Sequence, residues 1–568
     1  MSTLRDTFYN RMLASLRALS PFEQLLTVIA ISIILIFLFS LVFGLSHQST
    51  TSWPQSGGRI VEGSVGTPRF IHPLYATSTT ERDLAMLVYS GLMREIEDGV
   101  FVPDLAQSYT RSEDGRTYTF TLRDDAVFHD GYPVKADDIV FTYTQAQTLN
   151  ENPNLRAQWQ DITIQKIDDT TIEIELKEPF ADFIDQTTLG ILPQHIWSDL
   201  NEDVVFSPYM LQPIGSGPFM IKRIESDENG LPVSFVLHRF KDFTLGTPYL
   251  RQITYRILST YEALYAASDA HRVDSFVDEY TNTHTLPSGQ RLEQIHMNRL
   301  FGLFVGKKST SPLSDSSILH ALEYFIDKEA LLQDLFNGYG VARSGVLGVS
   351  FDDSALTVPF DPEVGYARLA EKGWTYDPAR AMIVSSLEDT SSNQLSFTLA
   401  TSNAPHLIAT AEYLREVLGS YGIQVDLDIY TSDALIENVI PKRDFDVLLF
   451  GMSIPYPASV SAFWHSSQQK DPGRNITQYI NNATDTLLKK AHTEYDAATR
   501  MTLYSDFDAL LAQDRTAIML YAPDVIYEMP ARLHTALPNV IDTPRERFSL
   551  VYKWYIKSVS VWNIFTPK

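Results

Sequence analysis

Hydrophobic and polar positions along the chain follow two periods. Residues 116–123 (RTYTFTLR) and 171–176 (TIEIEL) alternate apolar and polar side chains, which predicts half-buried strands. Residues 317–335 and 404–418 carry apolar side chains at helical spacing, which predicts two amphipathic helices. The second helix leads through a short glycine turn into an alternating run at 423–430, a further predicted strand. A helix, a short turn and a strand in this order are typical of an α/β lobe.

One segment near the N-terminus is continuously apolar and follows neither the helical nor the strand period. Residues 25–45 (LLTVIAISIILIFLFSLVFGL) contain no charged side chain, and as a helix they would span a hydrocarbon core of roughly 30 Å. We expect an uncleaved transmembrane anchor; the alternative is a cleaved signal peptide, whose apolar segment usually runs about 7–15 residues. Arg5, Arg11 and Arg17 precede the segment, and Arg59 is the first basic residue after it. This asymmetry predicts a cytoplasmic N-terminus and places everything after residue 46 outside.

Composition narrows the class of protein. The 568 residues are 44% hydrophobic, which is enough for two or three compact domains. The 45 basic and 70 acidic residues give a net charge of −25, so a nucleic-acid partner is not expected. The chain has no cysteine, which excludes a cysteine nucleophile, a thiolate metal site, disulfides and lipidation at an N-terminal cysteine.

The sequence displays no motif of catalysis or metal binding. It contains no G-x-S-x-G turn and no H-E-x-x-H helix. Residues 302–309 (GLFVGKKS) have three residues between the glycines where a phosphate-binding loop needs four, so we interpret them as a strand with a basic end. His129 and Asp130 are neighbours on an extended segment and point to opposite faces, so a shared metal is not expected. We therefore expect a protein that is not an enzyme, with no catalytic residue, metal or cofactor.

Ordered blocks of the sequence resemble the family 5 solute-binding proteins, which are the dipeptide, oligopeptide and nickel receptors of ABC importers. The resemblance is densest in four runs, at 102–109 (VPDLAQSY), 114–123 (DGRTYTFTLR), 127–131 (VFHDG) and 133–139 (PVKADDI). Later blocks follow in the family's order, at 213–219 (PIGSGPF), 319–328 (LHALEYFIDK), 376–381 (YDPARA), 421–425 (YGIQV) and 445–447 (FDV). The resemblance covers 59–568, essentially all of the chain beyond the apolar segment and the polar stretch after it.

The resemblance implies an α/β fold of the periplasmic-binding-protein type, with two lobes around a cleft and an extra small domain on lobe I. Such proteins close on a ligand by hinge motion and deliver it to the permease subunits of an ABC importer. We expect a monomer, attached to the membrane through its one N-terminal helix. The expected parts are a cytoplasmic N-terminus (1–24), the anchor (25–45), a flexible linker (46–58), lobe I (59–98 and 201–300), the extra domain (99–200), lobe II (301–521) and C-terminal strands that rejoin lobe I (522–568).

By position in the family, the two cleft walls are expected to bind the ligand. The residues implied are Thr77, Ser78 and Thr79 in lobe I, and Asn403, His406, Gly451, Met452, Ser453 and Tyr456 in lobe II. They offer hydroxyls, an amide, a thioether and aromatic surface with almost no fixed charge, which suits hydrogen bonding to a ligand backbone. Met452→Asp is then expected to change ligand selectivity and leave the fold intact. If Met452 is instead a core residue, the same change would unfold the protein.

One departure from the family concerns the ligand. Peptide receptors of this family often hold the ligand's ammonium group with an Asp shortly after a Gly-Trp pair, but residues 451–457 (GMSIPYP) contain neither the Trp nor the Asp. No carboxylate lies between Asp446 and Asp471. Because a buried ammonium without a partner costs several kcal/mol, a free peptide N-terminus is held elsewhere or not bound. Peptides are the expected ligand, and a different small solute is the alternative.

Two other classes of protein compete with this interpretation. A membrane-anchored hydrolase would need a nucleophile–base pair or a metal site, and the sequence displays neither. A sensory receptor would need a cytoplasmic signalling part, whereas only 24 residues precede the apolar segment.

Overall fold

The computed structural model describes residues 20–97, 99–198, 206–278, 285–306, 311–386, 394–455 and 459–562. Within these ranges the side chains at 24, 38–39, 41–51, 560 and 562 are not described. The chain divides into two compact units: Met1–Gly57 with Tyr555–Lys568, and Gly58–Trp554. Arg5, Arg11 and Arg17, on which the predicted orientation of the anchor rests, lie outside the described residues.

The secondary structure alternates helices and strands over most of the described chain. The α-helices are α1 Pro21–Ser49, α2 Thr79–Val88, α3 Ala136–Thr148, α4 Pro153–Trp159, α5 Phe183–Gln186, α6 Gln194–Trp197, α7 Tyr261–Asp269, α8 Ser316–Glu323, α9 Lys328–Phe336, α10 Pro362–Glu371, α11 Pro405–Ser420, α12 Ser432–Ala434, α13 Val460–Trp464, α14 Asn482–Thr493 and α15 Ala497–Asp514. The strands are β1 Thr50–Gln55, β2 Arg59–Val65, β3 Met93–Glu97, β4 Val100–Pro103, β5 Ala106–Arg111, β6 Thr117–Leu122, β7 Ile162–Lys166, β8 Thr171–Leu176, β9 Phe219–Ser226, β10 Pro232–Arg239, β11 Gln252–Leu258, β12 Ser275–Asp278, β13 Gln290–Met297, β14 Arg299–Val305, β15 Gly340–Ala342, β16 Trp374–Asp377, β17 Met382–Ser385, β18 Ser396–Ser402, β19 Gln424–Tyr430, β20 Val447–Ser453, β21 Ala517–Pro530, β22 Val540–Ile541 and β23 Lys557–Trp562.

The first unit contains α1 and a two-stranded antiparallel ribbon. Strand β1 pairs with β23, from Thr50 opposite Trp562 to Gln55 opposite Lys557. The predicted flexible linker at 46–58 is therefore largely structured, since α1 extends to Ser49 and β1 follows directly. The prediction missed this because the partner strand lies some 500 positions away along the chain. Within this unit the last strand, β23, pairs with β1.

The predicted anchor at 25–45 coincides with α1. A search of the part of the chain that the structure describes finds no helix long and apolar enough to cross a membrane. The side chains at 38–39 and 41–45 fall outside that part.

The second unit is built on one long mixed sheet with the strand order β19-β18-β20-β14-β21-β12-β2-β11-β10-β9. Strands β14 to β20 and the first half of β21 form lobe II, where β18 runs parallel to both β19 and β20. Strands β2 and β9 to β13 form lobe I together with the second half of β21, and β2 runs parallel to β11 and β12. Parallel strands with helical connections are the α/β pattern that the sequence predicts.

The extra domain is a separate antiparallel sheet in the order β5-β6-β8-β7. In β6 the side chains of Tyr118, Phe120 and Leu122 are buried while those between them are half-buried, which confirms the predicted period of two. Helices α3 and α4 pack on each other, and α3 contacts β7 and β8 of this sheet.

The helix predicted at 317–335 is two helices. Helix α8 ends at Glu323, and α9 begins at Lys328 after Asp327. The Oδ1 of Asp327 accepts the backbone N–H of Ala330 at 2.9 Å, a capping bond that starts a new helix. Apolar spacing continues across the break because both helices bury one face in the same core, so the periodicity alone could not reveal it.

A buried ionic cluster ties lobe I to the C-terminal part of the chain. The guanidinium of Arg547 lies 2.8 Å from the Glu62 carboxylate on β2 and 2.5 Å from the Asp83 carboxylate on α2. Tyr527 donates to Glu62 at 2.8 Å and Tyr255 donates to Asp83 at 2.6 Å. The charged side chains are at most 2% exposed, so this cluster is part of the core.

Candidate functional site: the cleft between the lobes

Among the described residues, two chain segments cross between the lobes. Strand β21 pairs with β14 and β15 as far as Pro523 and with β12 and β13 from Asp524 onward, so it belongs to both lobes. The second crossing is Asn298, the single residue between β13 and β14. Segments of this kind absorb the rotation when two lobes close around a ligand.

Asn298 forms hydrogen bonds with both lobes through its backbone and its side chain. Its N–H donates to the carbonyl of Ile541 at 2.9 Å, and its carbonyl accepts the N–H of Ile454 at 2.8 Å. Its Nδ2 donates to Asp542 at 3.1 Å, while its Oδ1 accepts the N–H of Val349 at 3.1 Å. The residue is 3% exposed, and these bonds reach Ile541 and Asp542 in lobe I as well as Ile454 and Val349 in lobe II.

Several of the predicted residues lie at or after the carboxyl ends of strands that have a parallel neighbour. In open α/β sheets, ligands bind outside the carboxyl ends of the strands. The loop with Thr77 follows β2 in lobe I, Asn403 follows β18, and Ser453 ends β20. The structure therefore places Thr77, Asn403 and Ser453 in segments that follow or end strands of the two lobes. Tyr456 lies outside the described residues.

The predicted residues on β20 differ in burial, because successive side chains of this strand point to opposite faces of the sheet. Ser453 is exposed and Gly451 is half-buried, whereas Met452 is 0% exposed. The Met452 side chain belongs to the core cluster that contains Leu300 and Trp464. In the described conformation Met452 therefore contributes to the core of lobe II, because alternate side chains of a strand point to opposite faces.

The face that carries Gly451 and Ser453 is extended by β14 and α11. A side chain at position 451 would meet the ring of Phe301 at 2.6 Å, so the glycine makes room for that ring. The imidazole of His406, in the first turn of α11, packs edge-on against the same ring with centroids 5.4 Å apart. Phe301 itself is 3% exposed and belongs to the core of lobe II. We call the set of Arg299, His406, Gly451 and Ser453 the lobe II wall.

Arg299 is the member of the lobe II wall that the sequence analysis missed. It begins β14, lies opposite Ser453 in the strand register and is half-buried. Burial and, second to it, the positive charge of Arg299 lower the pKa of His406 to about 4, so that imidazole is neutral at neutral pH. The sequence feature that could have revealed Arg299 is its position directly before an apolar strand segment (LFGLFV). A charge at the end of a buried strand marks the point where that strand reaches a wet surface.

In lobe I, the predicted residues are organised by Glu81. Its carboxylate accepts the backbone N–H groups of Arg69 and Phe70 at 2.8 and 3.1 Å, and those of Thr77 and Ser78 at 3.0 Å each. Burial alone would raise the pKa of Glu81, but these backbone donors outweigh it and lower the pKa. Ser78 caps α2 by accepting the N–H of Glu81 at 3.3 Å. Ser78 is thus engaged in the loop itself, and Thr77, although exposed, also donates its hydroxyl to Glu81 at 3.4 Å.

Three carboxylates meet beside the Asn298 crossing. Oxygens of Glu95, Asp542 and Glu546 lie within 4.8 Å of one another, and Asp542 is the acceptor for Asn298. Burial, followed by the charges of Glu546 and Glu95, raises the pKa of Asp542 well above its ordinary value. Burial, followed by the charge of Glu546, raises the pKa of nearby Asp185 to about 7. Oxygen ligands of this type suit a hard cation, although clustered acids also occur without one.

The extra domain contacts lobe II directly. The hydroxyl of Tyr495, between α14 and α15, donates to the carbonyl of Gly115 at 2.9 Å. The guanidinium of Arg111 lies 3.5 Å from the centre of the Tyr495 ring, a cation–π contact. The ring of Phe180 stacks on His492 with centroids 4.6 Å apart. These contacts join two parts of the chain that are more than 300 residues apart.

Comparison with known proteins shows which family has this architecture. The family model described as "Bacterial extracellular solute-binding proteins, family 5 Middle" matches residues 100–473, more than half of the chain. The oligopeptide-binding protein AppA of Bacillus subtilis (strain 168) is 27% identical over 528 residues, which are 90% of this chain and 94% of that protein. The dipeptide-binding protein of Escherichia coli (strain K12) is 22% identical over 504 residues, covering 83% of this chain and 90% of that protein.

A solved structure shares both lobes. The structure of AppA from Bacillus subtilis in complex with a nonapeptide has a TM-score of 0.67 at 25% identity, and the match covers 89% of this chain and 100% of that chain. The named relatives are binding proteins. The family match, the two-lobe sheet and the separate small domain agree with one another, and the chain belongs to family 5 of the bacterial extracellular solute-binding proteins.

Proposed function

We propose that this protein captures peptides in the cleft between its lobes and delivers them to the permease subunits of an ABC importer. The observation that carries the proposal is the likeness to an oligopeptide-binding protein over 528 residues, a span that includes both cleft walls. The exposed residue Ser453 and the neutral imidazole of His406 support it. Such groups bind the backbone of a peptide by hydrogen bonds without selecting its side chains.

We further propose that the binding unit works outside the cytoplasm and is held to the membrane by residues 25–45. This part of the proposal rests on the uncharged sequence of that segment and on the arginines before it. Protein isolated from native membranes is then expected to retain Met1 and to require detergent for release. A mature N-terminus near residues 46–58 in washed membranes would disprove the anchor.

Binding is tested on the full chain in detergent with a library of peptides of two to nine residues. A ligand that binds the folded state stabilises it by about 2.7 kcal/mol at a hundredfold excess over Kd, so the melting temperature rises. Hinge closure predicts that the same peptides reduce the radius of gyration in small-angle scattering. If no peptide changes either signal, the peptide assignment fails.

A different small solute is the second candidate. The observation that favours it is the lobe II wall, where no carboxylate lies between Asp446 and Asp471 to receive a peptide's ammonium group. Mass spectrometry of the small molecules that co-purify with the chain distinguishes the two candidates.

A further inference from the structure

The amide side chain of Asn298 connects the two lobes at the point where the chain crosses between them. Its Nδ2 donates to Asp542, which follows β22 in lobe I, and its Oδ1 accepts the backbone N–H of Val349 in lobe II, each at 3.1 Å. A Cβ atom at Gly348 would stand 2.5 Å from that Oδ1, so the glycine leaves room for the amide. The amide thus uses its donor on one lobe and its acceptor on the other.

Both partners of this amide are themselves held in place. The guanidinium of Arg343, directly after β15, donates to the carbonyl of Gly348 at 3.2 Å and so fixes the loop that carries Val349. On the lobe I side, the backbone N–H of Asp542 donates to the Glu546 carboxylate at 2.7 Å. Because a hydrogen bond between two fixed groups cannot follow their separation, these bonds respond to movement of one lobe relative to the other.

The backbone of Asn298 extends this connection to the lobe II wall. Its carbonyl accepts the N–H of Ile454 at 2.8 Å, and Ile454 directly follows Ser453, the last residue of β20. Its N–H donates to the carbonyl of Ile541, beside Asp542, at 2.9 Å. Rotation of the lobes about this crossing changes the φ and ψ angles of Asn298, so its bonds to the two lobes cannot all keep their lengths. Opening of the cleft therefore weakens part of this set.

The lobes are together in the described arrangement. The extra domain contacts lobe II through the hydrogen bond from Tyr495 to Gly115 and through the stacked rings of Phe180 and His492. The bonds of Asn298 are therefore formed while the cleft is closed. A contact that is made in the closed arrangement and weakened in the open one shifts the equilibrium between them toward closure.

We propose that Asn298 is a positioning residue that holds the lobes in the closed arrangement and thereby sets the affinity for the ligand without touching it. The inference deepens the proposed function and rests on it for the ligand, since capture in the cleft requires closure. When a ligand is retained only by the closed arrangement, its apparent affinity falls in proportion to the fraction of the protein that is closed.

The test measures closure and binding separately, on the full chain in detergent. The chain has no cysteine of its own, so Ser108→Cys in the extra domain and Ser505→Cys in lobe II, both at exposed positions, each accept one spin label. Pulsed electron paramagnetic resonance gives the distance between the two labels with and without penta-alanine. Isothermal titration calorimetry gives the Kd of penta-alanine.

Two substitutions remove the amide. Asn298→Leu keeps the approximate size of the side chain, and Asn298→Asp keeps its shape but places an oxygen against the Asp542 carboxylate. Both should increase the share of long distances in the ligand-free chain. Penta-alanine should bind about three- to tenfold weaker to Asn298→Leu and about tenfold or more weaker to Asn298→Asp. The fold loss of affinity should equal the fold loss of the closed fraction, an agreement that a merely structural role would not produce.

A glycine variant tests the same amide from lobe II. The methyl group of Gly348→Ala meets the Oδ1 of Asn298 and should change distances and affinity in the same direction. Gly419→Ala is the matched control, because a methyl group there meets nothing outside its own helix within 4 Å, and it should behave as the unmodified chain. If the Asn298 variants do not fold, Gly348→Ala decides. Folded variants that keep the distances and the Kd of the unmodified chain would show the inference to be wrong.

The distances also separate this inference from the peptide assignment. If penta-alanine binds to none of these chains, the peptide assignment fails for this probe, and the ligand-free distances alone decide on Asn298. Longer distances in the variants than in the unmodified chain then support the inference, and identical distances overturn it.

Discussion

At the scale of single residues, neighbours on β20 have opposite environments. Met452 is 0% exposed within the lobe II core, whereas Ser453 is exposed at the end of the same strand. A carboxylate placed at 452 would be buried without a partner, which costs several kcal/mol. A carboxylate at 453 would remain in water, opposite Arg299 in the strand register.

The first prediction follows from this contrast. Met452→Asp should lower the free energy of unfolding by about 3–5 kcal/mol, and its matched variant Ser453→Asp should change it by less than about 1 kcal/mol. Denaturant unfolding monitored by circular dichroism measures both. Equal stability of the two variants would mean that Met452 faces the cleft, as the sequence analysis expected.

At the scale of elements, the segment between α14 and α15 connects lobe II to the extra domain. Tyr495 contributes a hydrogen bond to Gly115 and a ring face to Arg111. Ligand closure in this family is a movement of one lobe relative to the other, so contacts between the two sides stabilise the arrangement in which they form. The Tyr495 side chain is expected to favour the closed state.

The second prediction concerns this contact. Tyr495→Ala should leave the melting temperature nearly unchanged but increase the radius of gyration of the ligand-free chain. Its ligand affinity should fall about three- to tenfold, because roughly 1 kcal/mol of contact energy is lost from the closed state. Met501→Ala, an exposed position on α15, serves as the control. Unchanged dimensions and affinity in Tyr495→Ala would show that the contact does not bias closure.

At the scale of the whole molecule, the ionic cluster around Arg547 joins distant parts of the chain. Glu62 and Asp83 come from the first strand and helix of lobe I, while Arg547 lies near the end of the second unit. Burial raises the pKa of Glu62, and the charge of Arg547 opposes that rise. Loss of Arg547 would leave two buried carboxylates without their counter-charge.

The third prediction is a pH-dependent loss of stability. Arg547→Met should destabilise the chain by about 3–5 kcal/mol near neutral pH. Because the variant raises the pKa of Glu62 further, the protonated carboxyl contributes stability at low pH that is lost as the pH rises through that pKa. The deficit in melting temperature should therefore shrink toward pH 5. Arg532→Met, which removes an exposed arginine 3.6 Å from Asp274, should show no such dependence.

The local pattern of apolar and polar residues determined much of the secondary structure of this protein. The alternating run at 171–176 is strand β8 residue for residue, and the helix and strand predicted at 404–418 and 423–430 are α11 and β19 within two residues. The ordered family blocks were enough to assign the family, which the match over 100–473 confirms. These features could be read from the sequence because helical and strand periods, and the turns between them, depend on residues only a few positions apart.

Tertiary structure decided what depends on residues far apart. The pairing of β1 with β23 converts a polar stretch into a strand, and no local signal at 46–58 names its partner. The core position of Met452 depends on the register of β20 against β14, since a shift of one residue would exchange it with Ser453. Arg299 lies opposite Ser453 only because β14 pairs with β20. The environment of a side chain depends on such distant pairings, and for that reason the sequence alone identified the family but not which of its predicted site residues are buried.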